Sequence, residues 1–273
     1  MKYRIIDLKE KYPVKGGTLE CICIDNPWDI GHKDWSRPAL IVVPGGGYQG
    51  TSNREGEVVA THFLAQGFQV FVLKYLCKPD GVCYPEQLFE LSCAIDHVRK
   101  NASDYNVNPD EIFTIGFSAG GHLVADQSDE YATVSNRLGV SLDCMPTAVG
   151  LGYPVIDEHD GSFENLLCGY EKATAAKIKD DLNLNRRVGK HTSPTFIWTT
   201  AEDNLVPVGN SLRYALALSE NGIPFEMHVY TKGLHGLSTG SLEINEECEA
   251  LKPVSAWIRD CANFFRMFTK ERF

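Results

Sequence analysis

One serine stands between two glycines in FTIGFSAGGHLVADQ, residues 113–127. There Gly116-Phe117-Ser118-Ala119-Gly120 separates an apolar stretch from one with helical character. A strand that turns at once into a helix forces its central residue into a strained backbone conformation. Side chains at positions 116 and 120 would collide in so tight a turn, which accounts for the glycines. Ser118 is thereby lifted clear at the end of a strand with its hydroxyl accessible. The following helix aims its N-terminal N–H groups at the same spot, where they suit a developing oxyanion. This is the chemistry of a nucleophile elbow, in which a serine attacks an acyl carbon.

A serine needs a base, and the base needs an orienting acid. In TTAEDNLVPVGNS, Asp203 follows an apolar strand; in YTKGLHGL, His235 follows the next one. Of the eight histidines, His235 alone lies in a glycine-flanked loop directly after a predicted sheet strand. His62, His97 and His122 fall in predicted helices, and His228 within a strand. Glu202 rivals Asp203 for the acid, and the place of Asp203 in the EDNLVP turn favours it. An oxyanion hole needs two N–H donors. One is expected from Ala119, the residue after the serine, and the other from VPGGGYQG, where Gly46 and Gly47 let the backbone approach a substrate oxygen. That segment also fits a plain glycine turn, and it leaves open which of the two glycines donates.

These residues require strands that end on a common edge. TLECICID (18–25) has alternating apolar residues and predicts a half-buried strand. Six buried strands are predicted: ALIVV at the start of 39–50, FQVFVLKY (68–75), EIFTIGF (111–117), PTAVGLGYPV (146–155), TFIWTT (195–200) and FEMHVY (225–230). Helical spacing appears at 54–66, 87–100, from 121–126 onward, at 208–221 and at 254–268. Strands alternating with helices predict an α/β fold, a mostly parallel central sheet with helices on both faces. One stretch breaks the rhythm. Residues 163–191 are polar, helical and strand-free, and predict a small cap-like insertion, bounded at 156–192, within a single domain spanning 1–273.

With 273 residues, 43% of them apolar, the chain has ample length to bury a core. Its formal charge of −10 argues against a nucleic-acid or anionic-membrane partner, since those need clustered Lys and Arg. No apolar run approaches the roughly 18 residues of a membrane span. The N-terminus MKYRIIDLKEKYPVKGG has no apolar h-region and does not read as a signal peptide. Nine cysteines, most in apolar segments and none in a CxxC pair, predict free, mostly buried thiols in a reducing cytoplasm.

The sequence resembles the α/β-hydrolases, and among them the bacterial acetylxylan-esterase-like group of small carboxylesterases, often labelled sugar hydrolases or esterase/lipase proteins. The likeness runs over most of the chain, through VPGGGYQG, GFSAGGHLVA, LGYPVI, LLCGY, HTSPTFIWTTAEDNLVPVGNSLRYALAL and GLHGL. It implies Ser118 as nucleophile, His235 as base and then acid, Asp203 as orienting acid, and an acetyl pocket near the glycine loop. One departure stands out: Pro44 precedes the glycines where many hormone-sensitive-type lipases have histidine, whereas proline is common in the acetylxylan-esterase-like group.

The expected activity is hydrolysis of short acyl esters, acetyl foremost, of a hydroxylated compound such as a sugar or xylo-oligosaccharide. A small-molecule ester is the expected partner, and neither metal nor organic cofactor is implied. Tyr48, Tyr153 and Val206, near strand ends, are candidates for the walls of the acyl pocket; the tyrosines equally fit core packing with bonded hydroxyls. A peptidase or thioesterase on the same fold, and a non-catalytic binding protein, are the rival readings. The oligomeric state is left open, a homo-oligomer included.

Overall fold

The computed structural model describes residues 1–26, 35–157 and 160–270. Its strands are β1 (Lys2–Asp7), β2 (Thr18–Cys23), β3 (Arg37–Val43), β4 (Gln69–Lys74), β5 (Val107–Phe117), β6 (Ala148–Gly152), β7 (Thr195–Thr200) and β8 (Phe225–Tyr230). They form one sheet in the order β1-β2-β4-β3-β5-β6-β7-β8. Only the β1–β2 and β2–β4 pairs are antiparallel. Parallel neighbours need crossovers, which the helices supply. These are α1 (Glu57–Ala65), α2 (Glu86–Lys100), α3 (Ala119–Leu138), α4 (Asp160–Leu166), α5 (Lys172–Asp181), α6 (Gly209–Glu220), α7 (Leu251–Val254) and α8 (Trp257–Arg266).

Strand side chains alternate between faces, so a strand buried on both sides feeds two cores. β3 does so: Ala39, Ile41 and Val43 join a cluster with Leu91 and Ile95 of α2, Leu123 of α3 and Leu218 of α6. Leu40 and Val42 join the opposite one, with Phe63 of α1 and Trp257 and Phe265 of α8. Trp198 of β7 stacks on Trp257 with ring centroids 5.1 Å apart, tying the last helix to the sheet beside the loops that follow β7 and β8.

The predicted strands form, with three differences. KYRIID, β1, was not anticipated: it is an edge strand whose first four residues are exposed, so charge interleaves its apolar residues and no buried run betrays it. β8, expected buried, is the opposite edge and only half covered, with Phe225 38% and Val229 44% exposed. β6 stops at Gly152 because Tyr153 turns to φ 36° ahead of Pro154. The chain between β6 and β7 holds α4, α5 and a short 3₁₀ turn, Leu184–Arg186. Among the described residues no helix is long and apolar enough to cross a membrane.

Candidate active site

β5 ends at Phe117 and α3 begins at Ala119, leaving Ser118 alone at the turn with φ 53° and ψ −119°. A side chain at Gly116 would place its Cβ 2.1 Å from the Gly120 carbonyl oxygen, and one at Gly120 would sit 2.2 Å from that of Val43. Both glycines are therefore demanded by backbone contact, and the second seats the start of α3 directly against the end of β3. The turn is tied at three further points. Ser118 donates its N–H to Gly152 (3.0 Å), and its carbonyl accepts the N–H groups of Val155 and His122, each at 3.1 Å.

The loops after β7 and β8 bring the other two residues to this edge. The Ser118 hydroxyl lies 2.9 Å from His235 Nε2, and His235 Nδ1 lies 2.7 Å from Asp203 Oδ2. The other oxygen of Asp203 accepts the N–H groups of Leu205 (3.0 Å) and Val206 (2.8 Å). With the carboxylate accepting from the ring, Nδ1 carries the imidazole proton and Nε2 is free to accept from the serine. Glu202 faces away: it pairs with Lys232 at 2.7 Å and accepts the Gly233 N–H at 3.3 Å, so it braces the His235 loop from outside. The other histidines stand elsewhere. His62 bonds Val58 in α1, His97 bonds Tyr105, and His228 pairs with Glu226 on β8.

The glycine loop that follows β3 faces Ser118. Gly46 and Gly47 have φ of 131° and 61°, and a Cβ on Gly46 would meet the Gly50 oxygen at 2.2 Å. The Gly45 N–H is taken by Glu55 Oε2 at 2.8 Å. That leaves Gly46 and Gly47, whose N–H groups have no protein acceptor among the described residues. Ala119 opens α3, where a backbone N–H has no partner one turn earlier. Asn165 of α4 reaches across and donates to the Gly47 carbonyl at 2.9 Å.

A cavity of about 390 Å³ opens over Ser118 and His235. Its walls are polar or bare backbone: Ser52, Arg54, Glu55, Ser162 and glycines, with Leu205 the apolar side chain. Tyr48, Tyr153 and Val206 do not line it, which corrects the expectation from their positions near strand ends. Tyr48 is buried with its hydroxyl 2.8 Å from His122 Nδ1, pinning the glycine loop to α3. Burial lowers the pKa of that histidine to about 3 and so keeps it neutral. Tyr153 is buried behind His235, its ring edge-on to the imidazole with centroids 4.8 Å apart. Val206 is buried and serves the site through its backbone N–H on Asp203. Sequence reasoning missed Glu55 and Arg54, which it placed in a helical stretch at 54–66 and which stand in a short 3₁₀ turn ahead of α1. Among the described residues no cluster of three or more His, Cys, Asp or Glu is grouped as a metal would require.

Comparison with known proteins adds to this geometry. Residues 91–264 match the model of the prolyl oligopeptidase family, and residues 31–137 that of the BD-FAE family. The chain is 36% identical over 234 residues to endo-1,4-beta-xylanase B of Butyrivibrio fibrisolvens, covering 78% of this chain and 34% of that protein. It is 32% identical over 235 residues to an acetylxylan esterase of Xylanibacter ruminicola, covering 82% and 45%. The chain thus spans less than half the length of these curated relatives. A solved structure, an acetyl ester-xyloside bifunctional hydrolase from Caldicellulosiruptor lactoaceticus, superposes with a TM-score of 0.80 at 30% identity, covering 97% of this chain and 96% of that one.

Proposed function

This chain belongs to the prolyl oligopeptidase family of the α/β-hydrolase superfamily, and on that footing we propose that it is a serine carboxylesterase removing short acyl groups, acetyl foremost, from a hydroxylated alcohol such as a sugar. The observation that carries the proposal is the unbroken hydrogen-bonded chain from Ser118 through His235 to Asp203 beneath a cavity of about 390 Å³. Ser118 Oγ attacks the ester carbonyl carbon while His235 Nε2 takes its proton, and Asp203 steadies the imidazolium that forms. The carbonyl oxygen, now negative, rests on the N–H groups of Ala119 and of Gly46 or Gly47. The C–O bond to the alcohol breaks, and the alcohol leaves with the proton from His235. Water, deprotonated by His235, then clears the acyl-enzyme as the free acid.

The cavity supports the substrate class. An acetyl group needs little room, and hydroxyl-bearing Ser52 and Ser162 suit a polyol better than a long acyl chain. The names of the relatives lean the same way. The prolyl oligopeptidase model favours a second reading, a small peptidase, on identical acyl-transfer chemistry. Nine unpaired thiols support a reducing compartment, and we place the protein in the cytoplasm. A fluorophosphonate probe tests the core of the proposal. It should label Ser118, and Ser118→Ala should remain unlabelled and lose about 10⁴-fold or more in kcat. A folded wild-type protein that does not label would overturn it.

A further inference from the structure

Glu55 has no part in the steps above, yet it stands at the floor of the same cavity and is only 5% exposed. Both its carboxylate oxygens are engaged. Oε2 accepts the Gly45 N–H at 2.8 Å, and Oε1 accepts the Tyr153 hydroxyl at 2.6 Å. The direction of the second bond is fixed. The Tyr153 oxygen already accepts the Ser238 N–H at 3.1 Å, so its single proton must point to Glu55. Two donors converge on one acid, the pattern of a carboxylate; a protonated acid would bring its own hydrogen against one of them. The groups facing Glu55 are Tyr153, His235, Arg54 and, from β4's end, Tyr75. Burial pushes its carboxyl above the ordinary carboxylate range, and the Tyr153 and Gly45 hydrogen bonds and the Arg54 guanidinium work against that rise.

The two donors connect to the two loops that flank Ser118. Gly45 directly precedes Gly46 and Gly47. Ser238 closes the loop that carries His235, and the Tyr153 ring supports that imidazole from behind. A buried charge is expensive, and an apolar side chain would fill the space at less expense, so stability alone does not explain an acid here. We propose that Glu55 is a positioning residue of the acyl transfer, its carboxylate holding the oxyanion-donor loop and, through Tyr153, the His235 loop in register with Ser118. This rests on the reading of Ser118 as nucleophile.

Glu55→Gln keeps the volume but offers one acceptor to two donors. With p-nitrophenyl acetate, its kcat should fall about 10- to 100-fold, less than the roughly 10²- to 10³-fold of losing a donor outright, while KM stays within about twofold. The inhibition constant of methylboronic acid, which forms a tetrahedral adduct on the serine, should weaken by a similar factor. Kinetics and boronate affinity within about twofold of wild type would overturn the proposal even if the melting temperature fell, because the acid would then serve stability only. If Glu55→Gln does not fold, Tyr153→Phe decides: a kcat loss of about fivefold at constant KM supports the link, and an unchanged kcat refutes it. Failure of the wild type to label with fluorophosphonate would instead strike the esterase reading, whatever Glu55 does.

Discussion

Replacing Asp203 by Asn changes one oxygen for one NH₂ and leaves shape intact, so its effect isolates the acid's role. Three donors converge on this carboxylate: the ring Nδ1–H of His235 and the N–H groups of Leu205 and Val206. An amide has one oxygen for them. The two backbone donors share Oδ1 and cannot turn, so the NH₂ is driven toward His235. The ring must then accept at Nδ1 and carry its proton on Nε2, the atom that has to receive the proton of Ser118. Reaction through the minority tautomer should cost about 10⁴ in kcat, which is about 5.5 kcal/mol of activation free energy at 1.36 kcal/mol per decade. Glu202→Gln is the control, since Glu202 points outward to Lys232 and Gly233, and its kcat should stay within about threefold of wild type. Steady-state hydrolysis of p-nitrophenyl acetate at fixed pH, with fluorophosphonate labelling to count competent sites, measures both. An Asp203→Asn enzyme retaining more than about a tenth of wild-type kcat, or a larger loss in Glu202→Gln, would refute the assignment.

Acyl length tests the cavity: with Leu205 as its apolar side chain, kcat/KM on p-nitrophenyl esters should peak between acetyl and butyryl and fall by octanoyl. An apolar trough would instead gain about 0.8 kcal/mol, close to fourfold, per methylene, so a rise through decanoyl would contradict the polar lining. Stability should depend on pH through buried acids, since burial raises Glu90 and Asp129 to about 8 and Asp126 to about 7. Their unfolded values lie near 4, so the stability they contribute is full below about pH 4 and is lost as pH rises through 7 to 8. His122, lowered to about 3, acts oppositely, losing stability as pH falls below about 6.5, so of these four groups the acids alone titrate above that point. The melting temperature should therefore fall from pH 6.5 to 8.5, and Glu90→Gln should flatten the slope; a rise over that window would refute the assignment.

The elbow was readable because two glycines met a β-branched strand and a helix start, a pattern with one steric solution. The convergence of Asp203 and His235 on Ser118 was readable because the parallel sheet puts the ends of β5, β7 and β8 on one edge, so loops far apart in sequence meet. What failed to show was whatever depends on a partner remote in the chain. Tyr153 follows a strand end, but only the fold reveals that it faces Glu55, 98 residues earlier, and not the cavity. Tyr48 likewise turns inward, from a left-handed backbone position at φ 57°, to bond His122. β1 escaped notice for a simpler reason. An exposed edge strand needs no apolar face, so hydrophobic alternation has nothing to report.

On α4, Asn165 and Ser162 bring the β6–β7 connection to the cavity, one gripping the Gly47 carbonyl and the other forming part of the wall. The reacting groups come from strand ends that the sheet fixes, while this helix is a detour between strands that already pair. On the proposed function, selection could thus rewrite this helix, by length or by composition, and change which alcohol is admitted while the sheet still holds Ser118, Asp203 and His235. The bond from Asn165 marks the limit of that freedom. A replacement segment has to supply something to hold Gly47, or the new specificity arrives with a slackened catalyst.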